Sequence, residues 1–119
     1  MSSQVKTLIK KNFNRPDDKE EFPGAIAELV KVGAVTVSRN VFEPGWHWPE
    51  DMESCQVEHL IWFVISGRMA IKMDDGHVEE FGPGDIGWLP PGHIVWVVGN
   101  EPVVALGIDE GGIDKEQLS

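Results

Sequence analysis

With 119 residues, 41% of them hydrophobic and 25% charged, the chain can build one compact core and has no length for a second. A net charge of −10 opposes phosphate backbones and anionic lipid surfaces, which sets nucleic acid and membranes aside as partners. No apolar run nears the roughly 20 residues of a membrane span, the first residues hold no apolar signal core, and the lone Cys55 precludes an internal disulfide; the expected location is cytoplasmic.

Residues 1–24 are polar and broken by Pro16 and Pro23, which reads as an N-terminal tail or edge segment. One weak helical spacing occurs there, over 5–13 (Val5, Leu8, Ile9, Phe13). From Ala25 onward the chain becomes short apolar runs divided by turn residues. The runs are 25–32, 34–42, 57–65, 68–73, 77–81, 86–89, 93–98 and 103–108. Between them stand Glu43-Pro44-Gly45, Ser66-Gly67, Asp74-Asp75-Gly76, Gly82-Pro83-Gly84-Asp85, Pro90-Pro91-Gly92 and Gly99-Asn100-Glu101-Pro102. Asp and Gly tolerate the positive φ of tight turns, so each cluster ends a strand. Eight or so strands at this spacing predict an all-β sandwich or barrel over 25–110, with 111–119 a polar C-terminal tail. The run Val57–Ile65 is apolar on both faces, more than a one-layer barrel wall needs, which predicts burial of its outer face against a second copy in a homodimer.

The turn skeleton carries a resemblance. Phe42-Glu43-Pro44-Gly45, then Val64-Ile65-Ser66-Gly67, then Phe81-Gly82-Pro83-Gly84-Asp85-Ile86 with Pro90-Pro91-Gly92, is similar to the two motifs of the cupin superfamily across roughly 35–108. The resemblance implies a double-stranded β-helix, the cupin or jelly-roll barrel, with a short N-terminal extension, and its function in the barrel mouth. It also implies a metal set of two histidines, a glutamate and a third histidine. Those positions fall here near Glu53 and Cys55, on Leu60, and on Val95. Leu60 and Val95 have no metal-binding atom.

Other donors lie close to those positions. Cys55, His59 and His93 are the candidate metal ligands, a thiolate and two imidazoles suited to a divalent ion such as Zn, Fe, Mn or Ni. On a straight strand Glu53, Cys55 and His59 share one face. Against this, a free cysteine is often a small buried hydrophobe and His59 a hydrogen-bonded core histidine. Five Trp and no Tyr is an unusual balance. Trp46, Trp48, Trp62, Trp88 and Trp96 can each line a ligand pocket or pack in the core or a dimer interface; Trp62 and Trp96 are the foremost pocket candidates, together with Glu53 and with His47 of Gly45-Trp46-His47-Trp48-Pro49. His77 follows a hairpin turn and reads as exposed. No phosphate loop, serine elbow, zinc-finger spacing or calcium loop occurs.

Two functional classes stay open. One is a binding module that takes a small organic ligand in the barrel, with or without a divalent metal. The other is a metal-dependent enzyme of isomerase, decarboxylase, lyase or dioxygenase type, acting on a small organic acid or sugar. The gaps at Leu60 and Val95 favour the first.

Overall fold

The computed structural model describes residues 7–110, and every described element is β. Nine strands follow in order: β1 Asp18–Phe22, β2 Ala25–Val32, β3 Val35–Phe42, β4 His59–Ser66, β5 Met69–Met73, β6 Val78–Phe81, β7 Ile86–Leu89, β8 His93–Val97 and β9 Val103–Glu110. The weak helical spacing near the start does not fold as a helix: 7–12 has no regular structure and Val5 lies outside the described residues. So does the tail expected over 111–119. Part of the N-terminal segment forms β1, an edge strand antiparallel to β2.

A six-stranded sheet runs β1-β2-β3-β9-β4-β7 and faces a three-stranded sheet, β6-β5-β8. All pairings are antiparallel. Successive side chains alternate between faces, so one set of each strand enters the space between the sheets. On β9 the buried set is Val103, Ala105 and Gly107; on β8 it is His93, Val95 and Val97. Val64, Met69 and Val103 form the driest part of the core, where the two sheets meet. Trp62 joins them and donates its indole N–H to the Met69 sulfur at 3.2 Å.

The turns hold the sheets in register. At the Asp74-Asp75-Gly76 hairpin the Asp75 carboxylate accepts from the His77 amide at 2.9 Å, and the Gly76 amide reaches the Met73 carbonyl at 2.9 Å. Gly67 carries the chain from β4 into β5 at φ 79°, and a Cβ there would stand 2.3 Å from the Pro102 carbonyl oxygen. Only glycine meets both requirements.

Within the single chain the 57–65 run is not buried on both faces. Regular pairing begins at His59, and Leu60, Ile61 and Ile65 of β4 stay exposed together with Ile86 and Trp88 of the neighbouring edge strand β7.

Candidate functional site

One cavity of about 240 Å³ opens between the inner face of the large sheet and the start of β8. Its wall is mostly apolar, with Phe42, Trp46, Trp48 and Trp62 as its aromatic surfaces. The two outer indoles are placed by a short antiparallel contact. Trp48 donates its amide to the Val95 carbonyl at 2.9 Å, and Val97 donates to the Trp46 carbonyl at 2.9 Å. Trp46 and Trp48 turn inward and meet edge-to-face, with centroids 6.3 Å apart.

His59 sits at the head of β4. Its Nδ1 lies 2.6 Å from Asp109 Oδ1 on β9, and both residues line the cavity. A carboxylate only accepts, so Nδ1 carries a proton and donates to Asp109, and Nε2 is the ring atom left for another partner. The β4–β7 register shifts between His59 and Trp62. That irregularity puts both on the inner face although they are three residues apart, with ring centroids 5.0 Å from each other.

His93 opens β8 beside them and is 3% exposed, its ring 5.8 Å from that of His59. Its Nδ1 donates to the Pro90 carbonyl at 2.9 Å. Burial pushes its pKa down, the Pro90 contact opposes this, and His59 adds to the fall, so the ring is neutral at pH 7. Cys55 is tied to the same place through the backbone: its amide donates to the His93 carbonyl at 2.7 Å, and the Gly92 amide returns to the Cys55 carbonyl at 2.7 Å. Burial raises the Cys55 pKa, an amide hydrogen bond at Val57 lowers it, and Glu20 and Asp109 raise it further. The group is a thiol at neutral pH.

Cys55, His59 and His93 therefore come together at one cavity. The other expectations need correction. His47 and Trp96 face each other across an isolated bridge, and neither lines the cavity. The contact that turns Trp46 and Trp48 inward turns their alternates outward, so His47 is exposed and Trp96 lies on the face opposite Val95 and Val97. Glu53 is exposed too; only its carbonyl takes part, accepting from Trp48 Nε1 at 3.0 Å. It does not share a strand face with Cys55 and His59, because β4 starts only at His59. Sequence reading overlooked Asp109, Glu20 and Asn40 as lining residues, and ranked Trp46 and Trp48 behind Trp96 although they line the cavity and Trp96 does not. Asp109 had a signal: the alternation Val103, Ala105, Gly107 continues to it one residue beyond the expected strand end.

Among the described residues no group of three or more His, Cys, Asp or Glu side chains is arranged to hold a metal ion. His59 and Asp109 already satisfy each other, and Cys55 is held as a thiol. Where the cupin pattern has its glutamate and last histidine, Leu60 is exposed and Val95 is part of the apolar wall. The donors present do not fit a centre with three protein ligands and an open position.

No family model matches the sequence, and no curated protein matches it. Solved structures do. Oxalate decarboxylase from Bacillus subtilis, as a two-residue deletion mutant, aligns at TM-score 0.60 and 26% identity over 77% of this chain and 27% of its own. The formate complex of oxalate decarboxylase from Lactobacillus farciminis aligns at TM-score 0.67 and 16% identity over 81% of this chain and 31% of its own. Peruvianin-I, a cysteine peptidase from Thevetia peruviana latex, aligns at TM-score 0.65 and 19% identity over 87% of this chain and 71% of its own. The chain thus spans less than a third of the oxalate decarboxylases it matches. Facing antiparallel sheets, the glycine and proline turns and these likenesses agree: this chain is a small domain of the cupin fold.

Proposed function

We propose that the protein binds a small organic molecule with an apolar body in the cavity between its sheets. The carrying observation is the cavity itself, about 240 Å³ walled by Phe42, Trp46, Trp48 and Trp62, with the polar atoms of His59, His93 and Asp109 at one side. An apolar pocket with a few convergent polar groups is the usual form of a small-molecule site. No metal enters this reading, since the donor set falls short of a centre. Oxalate, named for two of the neighbours, is a dianion, and no Lys or Arg among the described residues lines this cavity to receive it.

Calorimetric titration with 2-phenylethanol, 2-phenylethylammonium and phenylacetate tests the reading. At least one binds with one-site saturation. Ala27→Phe, which fills the cavity from β2, abolishes that binding while leaving the circular dichroism unchanged. Binding that survives Ala27→Phe, or failure of all three probes, overturns the proposal.

The His59–Asp109 pair supports a second reading, an enzyme. A base oriented by a carboxylate on a cavity wall is the arrangement that proton transfer needs. Under this reading His59→Gln removes turnover of a bound substrate and leaves its affinity within about threefold.

A further inference from the structure

The balance of hydrogen-bonding groups on the cavity wall narrows the ligand. Three of the side-chain nitrogen donors found there are already used, while Trp46 Nε1 has no hydrogen bond among the described residues. Trp48 Nε1 goes to the Glu53 carbonyl, Trp62 Nε1 to the Met69 sulfur, and Asn40 Nδ2 to Ser38 Oγ and the Ala105 carbonyl. The acceptors are not. Asp109 gives Oδ1 to His59, while Oδ2 has no hydrogen bond among the described residues. The Glu20 carboxylate has neither a hydrogen bond nor an ion pair among them, and it stands on edge strand β1 at the cavity.

His93 adds an independent observation. It is 3% exposed, its Nδ1 is spent on Pro90, and its Nε2 has no partner among the described residues. Yet among the described residues no fully buried side-chain nitrogen or oxygen lacks a hydrogen bond. Its Nε2 therefore keeps a little accessible surface, and for a residue lining the cavity that surface is the cavity's own. With the ring neutral and Nδ1 protonated, Nε2 presents a lone pair. His59 Nε2 is likewise without a partner among the described residues. No Lys or Arg among the described residues lines the cavity, so its fixed charges, Glu20 and Asp109, are both negative. Both also act on Cys55, so their fields converge in the cavity.

We infer that the cavity selects a protonated amine with an apolar body, its N–H groups donating to the Glu20 and Asp109 carboxylates and to Nε2 of His93, and its body lying against Trp46, Trp48 and Trp62. The inference rests on the small-molecule reading above and deepens it. An ammonium supplies the positive charge that the wall lacks and N–H donors for its open acceptors. Its bonds to carboxylates are charge-assisted, and the indole faces favour a nearby cation.

The three probes share a phenyl ring and differ in the head group, so they separate this inference from the reading beneath it. Titrations run at pH 8 on chelator-treated protein, where histidine side chains ordinarily carry no charge. 2-Phenylethylammonium binds about tenfold tighter than 2-phenylethanol, and phenylacetate binds weakest. Glu20→Gln, a change on an exposed edge strand, and Asp109→Asn each shrink the ammonium-to-alcohol preference by about threefold or more. Equal affinity for ammonium and alcohol overturns the inference and leaves the small-molecule reading standing. Phenylacetate binding as tightly as the ammonium also overturns it, as does phenylacetate binding that appears only when Zn, Mn, Fe or Ni is restored. Failure of all three probes overturns both.

Discussion

His59 and Asp109 are 50 residues apart in sequence, yet Nδ1 of one lies 2.6 Å from Oδ1 of the other, joining β4 to β9 at the cavity wall. The contact is part-buried, so its loss affects stability as well as the site. Asp109→Ala leaves the His59 N–H without its acceptor and destabilises the fold by about 1–3 kcal/mol. The expected fall in Tm is about 4 °C per kcal/mol for a domain of this size. Urea titration against the unsubstituted protein measures it; an unchanged midpoint would show the pair to be energetically idle.

Acidification destabilises the protein through His93. Its folded pKa lies below the ordinary 6.5 because burial disfavours the charged ring. Between the folded value and about 6.5 the unfolded chain holds more protons than the folded one, so stability is full above that window and drops as pH falls into it. Urea midpoints at about pH 7.5 and 5.5 should differ more in the unsubstituted protein than in His93→Gln. An equal pH dependence in the two assigns the effect elsewhere.

Cys55 resists alkylation in the folded state. Burial and the Glu20 and Asp109 charges keep it protonated, and the thiolate is the reactive form. Iodoacetamide at neutral pH labels it more slowly than the urea-unfolded chain, since a raised pKa lowers the thiolate fraction. Equal rates would place the sulfur outside the cavity.

Gly67→Ala is the most damaging glycine substitution in the barrel. A left-handed φ and an overlap with Pro102 and Val103 backbone atoms combine to cost about 2–4 kcal/mol. Gly33→Ala, also at positive φ but with nothing within 4 Å, costs about 1–2 kcal/mol. Comparable losses at the two positions would show that the close approach to Pro102 relaxes freely.

The homodimer expected from the apolar 57–65 run is testable on the face where Ile65, Ile86 and Trp88 are exposed, the last two at 63% and 61%. A second copy covering that face gives twice the monomer mass in sedimentation equilibrium, and Ile86→Lys shifts the mass toward the monomer. A monomer at micromolar concentration removes the dimer.

The strands were legible because local chemistry sets them. The Asp74-Asp75-Gly76 and Pro90-Pro91-Gly92 turns mark strand ends that the structure keeps to within about two residues. Side-chain direction was harder to read. His59 and Trp62 are three apart and both face inward only because the register shifts between them. A single-residue slip exchanges the faces of a strand, and no residue in 59–62 announces it. His47 was mistaken for its neighbours for a related reason: Trp46 and Trp48 share a face that excludes it, and which face turns inward is decided by pairing with Val95 and Val97 on β8.

Local sequence chemistry set an all-β domain with its turns in place and an acidic surface, and it offered Cys55, His59 and His93 only as candidate metal ligands. Glycine, proline and aspartate act through backbone angles available to a few neighbouring residues, so their consequences are local. Only the tertiary structure decided that His59 would be engaged by Asp109 and that Trp46 and Trp48 would wall the cavity. It also turned His47, Glu53 and Trp96 away. Those outcomes depend on the register between strands far apart in the chain, which packing of the two sheets selects and no local pattern encodes.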